Sequence, residues 1–339
     1  MSKVIIIAEA GVNHNGDIQN AFKLIEVAAV AGADYVKFQT FKTELNISTK
    51  APKADYQLNN TGNTESQFEM VKKLELAFDD FVRLKKYCEE LNIGFLSTAF
   101  DNPSIDFIDS LNPDYFKVPS GELTNKPFLK YLASKGRKLI ISTGMADMSE
   151  ISWAVDVLKS AGTKESDLIL LHCNTEYPTP MKDVNLLAMN AIKKQFNLPV
   201  GYSDHTLGIE VPIAAVALGA TVIEKHFTLS REMEGPDHIA SLEPEELKQM
   251  VHAIRNIELA ISGSGIKEPS ESEQKNSAIA RKSIHAGKDL VKGHKLTLED
   301  VVMQRPGDGI SPKFIDDIIG KTVHFDIKEG SKLRWEDVK

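Results

Sequence analysis

Short apolar runs rich in valine, isoleucine and phenylalanine alternate with amphipathic segments along most of the chain. The runs cover residues 4–10, 35–40, 93–99, 115–121, 138–144, 168–174, 199–204 and 221–226. Between them, stretches such as IQNAFKLIEVAAVAGA, FDDFVRLKKYCEELN and SEISWAVDVLKSAG space apolar residues three and four apart. That period is the one a helix needs to bury a single face. Near-continuous apolar strands alternating with helices call for a parallel sheet buried on both faces. Eight such units in series predict an α/β fold, a (β/α)8 TIM barrel. A doubly wound open sheet competes, but no GxGxxG turn follows the first run.

Two segments break the alternation. KTELNISTKAPKADYQLNNTGNTESQ, between the second and third runs, is long and polar. It leaves a strand at its C-terminal end, so it reads as a functional loop or lid over the active face of the barrel. SGSGIKEPSESEQKNSA, after the eighth unit, lacks apolar periodicity and reads as a linker. The texture beyond it is of short β-like pieces and turns. The organisation read from this is a barrel over 1–262, a linker over 263–278 and a small domain over 279–339, the last near the lower size limit for an independent core.

Composition narrows the function. The chain has 339 residues, 42% hydrophobic and 26% charged, an ordinary globular balance. A formal net charge of -8 argues against a nucleic-acid surface but leaves an anionic small substrate open, because a few lysines in a cleft set the local field. The two cysteines, Cys88 and Cys173, form no CxxC pair, which fits a reducing compartment. The N-terminal apolar run is too short for a secretory signal, and no stretch approaches the roughly twenty apolar residues of a membrane span. A cytoplasmic protein with no membrane partner is expected.

Candidate chemistry gathers at the strand ends. His205 and His226 close consecutive runs, so two neighbouring parallel strands would bring both imidazoles to one end of the sheet. They read either as the start of an open divalent-metal site or as two buried histidines bonded to backbone. Ligand type alone does not choose among Mn, Zn, Co and Fe. Lys37 and Lys117 are point charges suited to phosphate or carboxylate. Thr98, Ser120, Ser142 and Ser203 are small donors, and Glu9, Glu122 and Glu224 are acid/base or hydroxyl-binding candidates. His14 and His172 read as structural or as supports behind the residues that meet substrate, and His238 as either.

The motifs AEAGVNHNG, VKFQTF, LSTAFD, KVPSGEL, ISTGM, LLHCNTEYPTP, GYSDHT, IEKHFT, GPDH and RPGDGIS occur in this order. Together they resemble the bacterial sialic acid synthases, the group of N-acetylneuraminate synthase and its legionaminate and pseudaminate relatives. The resemblance spans almost the whole chain, and the small domain is similar to the antifreeze-like (SAF) module of that family. It implies condensation of phosphoenolpyruvate with an open-chain acetamido sugar, giving a nine-carbon 2-keto acid and phosphate. It further implies that His205 and His226 hold a divalent ion, Mn2+ first, with Mg2+ or Co2+ as alternatives. Lys37, Thr98, Lys117, Ser120, Ser142, Asn174 and Ser203 would cradle phosphoenolpyruvate. Glu9, Gln39, Tyr177, Glu224 and Asp237 would meet the sugar, and Glu122 would be the acid/base, with Glu9 and Lys37 also catalytic. Arg305 would reach the sugar's acetamido end from a second subunit, which implies a domain-exchanged homodimer. N-acetylmannosamine is the substrate expected first. The alternative is N,N'-diacetyllegionaminate synthesis from a 2,4-diacetamido-2,4,6-trideoxymannose, which differs at carbons 4 and 6. A non-catalytic sugar- or anion-binding barrel is a remoter reading, and a metal-dependent hydrolase is disfavoured because the first strand lacks an HxH pair. Some family members carry an N-terminal hairpin that covers the barrel bottom. Here the first strand begins almost at Met1, so that cover is expected to be missing or built from other segments.

Overall fold

The computed structural model describes residues 3–62 and 64–339. Eight parallel strands form the barrel: β1 (Ile5–Gly11), β2 (Tyr35–Thr40), β3 (Gly94–Ala99), β4 (Tyr115–Val118), β5 (Lys138–Ser142), β6 (Leu168–Cys173), β7 (Val200–Asp204) and β8 (Val222–His226). Their order is β3-β2-β1-β8-β7-β6-β5-β4, and β3 packs beside β4 to close the ring. Each coincides with an apolar run read from the sequence. The (β/α)8 barrel is therefore the fold that forms. Compact units span Met1–Gly263 and Ser264–Lys339.

The strands are buried on both faces but not in the same way. Ile6, Ala8, Val36, Phe38, Phe116 and Ile141 point outward into the core shared with the helices. The alternate positions point inward, as the two-residue period of a strand requires. Ile7, Leu96, Ile140, Leu171 and Val222 pack together inside the ring, with Ile5, Tyr35, Tyr115 and Ile169 beside them. Burying each such side chain stabilises the fold by about 1.5–3 kcal/mol. Tyr35 and Tyr115 meet edge to face with ring centroids 6.0 Å apart, and Tyr35 donates its hydroxyl proton to Asp114 at 2.9 Å. The strands' own side chains thus fill the barrel near their N-terminal ends.

Two residues further along, the same inward rows turn polar. Ile7 gives way to Glu9, Tyr35 to Lys37, Leu96 to Thr98, Tyr115 to Lys117, Ile140 to Ser142 and Val222 to Glu224. Register fixes the neighbours, with Glu9 opposite Lys37 on one side and His226 on the other. Gly201, on the inward row of β7, has no room for a larger residue: a Cβ there would lie 2.2 Å from the Val222 carbonyl oxygen.

The polar segment after β2 is not an open loop. It folds into helices at Thr43–Asn46, Asp55–Thr61 and Gln67–Lys72 before the barrel helix Phe78–Glu90. Glu75 staples its base, accepting from Thr43 N at 3.1 Å, Thr43 Oγ1 at 3.0 Å, Lys42 Nζ at 3.1 Å and Lys72 Nζ at 2.9 Å. At the far side Asn60 donates to the Pro236 carbonyl at 2.6 Å.

The second unit has its own core of Ile284, Leu290, Leu296, Val301, Ile310, Ile318 and Leu333 around an antiparallel pair, β9 (Ser283–Ala286) and β10 (Val301–Gln304). The stretch 263–278, read as linker, is not wholly irregular. A helix at Glu271–Ala280 begins inside it, nucleated by Ser270, whose hydroxyl accepts from Glu273 N while Glu273 reaches back. Its exposed, polar surface carries no apolar periodicity, so the capping box was the one signal available. Among the described residues no helix is long and apolar enough to cross a membrane.

Candidate active site

A cavity of about 290 Å3 opens at the C-terminal ends of the strands. Its floor is an ion network of two lysines and two carboxylates, all nearly inaccessible. Lys37 Nζ lies 2.8 Å from Glu9 Oε2 and 3.7 Å from Glu224 Oε2, and donates to Thr98 Oγ1 at 2.8 Å. Lys117 donates to Glu224 Oε1 at 3.0 Å, and Ser203 donates to the same oxygen at 3.2 Å. Contact with the lysines is what allows the carboxyl groups to be buried here.

The two carboxylates are driven apart. Burial pushes Glu9 well above the usual carboxylate range, with Lys37 opposing it. Burial would raise Glu224 too, but Lys117 and Lys37 outweigh it and hold that group below the usual range. Glu224 is thus a standing anion, and Glu9 a carboxyl poised to hold a proton, the division of roles that acid/base sites use.

His205 and His226 face each other above this floor with ring centroids 5.3 Å apart. Burial pushes His205 down to about 4, and its Nδ1–H donates to the Asn174 carbonyl. That fixes the tautomer and leaves Nε2 with its lone pair. Burial and the neighbouring His205 push His226 well below its ordinary value, and its buried Nδ1 has no partner. Neutral, oriented imidazoles are the ligand form. Among the described residues no three His, Cys, Asp or Glu side chains gather into a complete metal centre. The free lone pair on His205 Nε2 and the unpartnered Nδ1 of His226 are two nitrogen donors of the kind a divalent ion takes.

Of the residues singled out in the sequence, Glu9, Lys37, Gln39, Thr98, Lys117, Ser120, Ser142, Tyr177, Ser203, His205, Glu224, His226 and Asp237 line this cavity. Tyr177 packs on His205 at 4.0 Å between centroids, and burial pushes Asp237 up to about 6. Two of the predicted site residues do not line the cavity with their side chains. Glu122, the expected acid/base, does not line the cavity: the 3-10 turn Ser120–Glu122 turns Ser120 inward and leaves Glu122 bound to Asn125 Nδ2 at 2.6 Å. Asn174 keeps its side chain in its own loop, accepting from Glu176 N at 2.8 Å, and serves the site through its carbonyl instead. Arg305 lies in the second unit, exposed. His238 is satisfied by Thr228 Oγ1 at 2.7 Å and Asn15 Oδ1 at 3.1 Å, and His172 bonds the Val184 carbonyl at 2.9 Å, so both are structural.

The segment after β2 supplies a wall of the cavity, in keeping with its place after a strand's C-terminal end, but the residues it supplies, Ile47, Tyr56, Gln57, Gln67 and Met70, were not singled out in the sequence. A tyrosine and two glutamines within an otherwise polar stretch were the only visible sign. Cys173 was missed as well. It occupies the inward row of β6, 3.3 Å from Ser120 Oγ.

Cations and hydroxyls on the floor, beside two neutral imidazoles at the carboxyl end of a closed parallel ring, define the active centre of a (β/α)8 enzyme. The NeuB family model matches residues 24–267, and the SAF domain model matches residues 281–339. The chain belongs to the NeuB family and carries a C-terminal SAF domain. It is 53% identical over 334 residues to the N,N'-diacetyllegionaminic acid synthase of Campylobacter jejuni, covering 98% of this chain and 100% of that protein. It is 49% identical over 336 residues to the enzyme of the same name from Legionella pneumophila, covering 98% and 94%. Among solved structures, N-acetylneuraminic acid synthetase from Leptospira borgpetersenii superposes with a TM-score of 0.70 at 36% identity, covering 81% of this chain and 90% of that one.

Proposed function

We propose that this protein condenses phosphoenolpyruvate with open-chain 2,4-diacetamido-2,4,6-trideoxymannose to give N,N'-diacetyllegionaminate and phosphate. This replaces N-acetylmannosamine, the substrate expected first. Two relatives near 50% identity bear the legionaminic name, against 36% for the N-acetylneuraminic one. The observation that carries the reading is the cavity's division into a cationic floor and a partly apolar wall. Phosphoenolpyruvate suits Lys37, Lys117, Thr98, Ser142 and Ser203, which offer charge and hydroxyl donors to its phosphate and carboxylate. Ile47, Met70, Val71 and Leu74 suit a 6-methyl and an acetyl group better than the hydroxyls N-acetylmannosamine carries there.

In this reading His205 and His226 would hold a divalent ion, Mn2+, Mg2+ or Co2+, which supplies Lewis-acid polarisation of the aldehyde oxygen. The chain's own groups do the rest. Lys37 and Lys117 hold phosphoenolpyruvate so that its carbon 3 faces the aldehyde. As the carbon–carbon bond forms, the aldehyde oxygen takes up electron density and a proton, which Glu9 is placed to supply from its neutral form. Water then adds at carbon 2, and the carbon–oxygen bond to phosphate breaks. Glu224 stays ionised and fixes both lysines. Arg305 would act from a partner subunit, in a domain-exchanged homodimer.

Phosphate release from phosphoenolpyruvate tests the class of reaction. Release is expected only with both a divalent ion and an acetamido sugar present, and turnover without either would overturn the assignment. In the same assay, heterodimers of Arg305→Ala and Lys117→Met, each inactive alone, are expected to recover part of the activity. Verified heterodimers that stay inactive would rule out a role in trans.

A further inference from the structure

The segment between β2 and β3 brings into the cavity a set of side chains that the floor chemistry does not use. Gln67 Nε2 donates to Gln57 Oε1 at 3.2 Å, and Gln57 Nε2 donates to the Tyr56 hydroxyl at 3.4 Å. Gln57 Oε1 also takes the Ala54 N–H at 3.0 Å, so this amide is fixed in orientation. With its oxygen accepting from Gln57, the Tyr56 hydroxyl keeps its own proton to donate. Burial pushes the phenol's pKa up, so the group stays neutral across the working range. Its ring stacks on Tyr177 at 5.0 Å between centroids, and Tyr177 in turn lies on His205. Tyr56 therefore stands one ring beyond the imidazoles. An open-chain sugar with its aldehyde at the imidazoles and its chain along this wall would bring the substituent on carbon 4, three carbons along, to Tyr56. Ile47 and Met70 line the same wall.

We propose that Tyr56, oriented by Gln57 and Gln67, donates to the carbonyl of the sugar's second acetamido group and so sets the choice between diacetamido and monoacetamido sugars. This rests on the diacetamido sugar being the substrate. The hydroxyl that N-acetylmannosamine carries at carbon 4 is shorter by two heavy atoms and cannot take its place. A site built to hydrogen-bond one group discriminates against an analogue lacking it, because the buried donor is then left unpaired.

Tyr56→Phe removes the donor and keeps the ring stacked on Tyr177, which holds the imidazole geometry constant. The quantity to measure is the ratio of kcat/KM for the diacetamido sugar to that for N-acetylmannosamine. The ratio is expected to fall about tenfold, mostly through KM for the diacetamido sugar, since carbon 4 is remote from the bond being made. An unchanged ratio, whether both sugars lose equally or neither loses, overturns the proposal. If the unmodified enzyme shows no preference for the diacetamido sugar, the substrate assignment fails and the proposal with it. A clear preference that survives Tyr56→Phe overturns the proposal alone.

Discussion

His226→Ala is expected to lower kcat by at least about a thousandfold while the barrel stays folded. The size follows from the role. An ion that polarises a carbonyl lowers the barrier by several kcal/mol, and each 1.36 kcal/mol is about tenfold in rate. Survival of the fold follows from the surroundings. His226 Nδ1 has no protein partner, so removing the ring breaks no hydrogen bond at that atom and leaves mainly a small cavity at the mouth of the barrel. Calorimetric titration with Mn2+ is expected to lose its binding signal in the variant, and the thermal transition is expected to move by only a few degrees. Retained turnover would mean that the pair of imidazoles is packing and not ligation.

Lys37→Met is the second large effect, and it reaches both activity and stability. The ammonium is wedged between Glu9 and Glu224, with its side chain 3% exposed. Its loss deprives phosphoenolpyruvate of a floor cation, and kcat/KM is expected to fall at least about a hundredfold. It also leaves two buried carboxylates with one lysine. Removing one partner of a buried pair costs about 3–5 kcal/mol when the other must stay charged. Glu9 need not stay charged, because burial already favours its neutral form and Lys37 is the chief group opposing that. The sign is therefore specific. A carboxyl whose folded pKa lies above its unfolded value loses stability as pH rises from the unfolded pKa to the folded one. The substitution pushes the folded value higher, so the window extends upward. In metal-free protein the Tm difference between wild type and variant is expected to be larger at pH 9 than at pH 6. Equal differences would mean that Glu9 is not coupled to Lys37.

The architecture was legible because both of its signals are periodic. Each apolar run became a strand, and the inward rows pass from apolar to polar at the same level in strand after strand, as from Ile7 to Glu9 and Tyr35 to Lys37. That passage identified nearly all of the floor. What was not legible depended on turns. A strand end says that Lys117 faces the cavity, but only the 3-10 turn that follows decides that Ser120 turns in while Glu122 is taken by Asn125. The same holds for Asn174, whose side chain is claimed two residues on by Glu176 N. Residues on the outward row also mislead. Lys225 and Asp204 sit beside His226 and His205 in sequence, yet they pair with each other behind the sheet, both fully buried. Tyr56 escaped notice because its neighbour Tyr177 is far away in sequence and meets it only once the segment after β2 folds back over the barrel.

The central claim is that this NeuB-family barrel uses a diacetamido-trideoxy sugar. It is tested most directly by kcat/KM for 2,4-diacetamido-2,4,6-trideoxymannose and for N-acetylmannosamine, measured side by side with saturating phosphoenolpyruvate and Mn2+. The diacetamido sugar is expected to be favoured by about fortyfold, from one hydrogen bond worth about tenfold and a buried methyl group worth about 0.8 kcal/mol. Equal values, or a preference for N-acetylmannosamine, would contradict it.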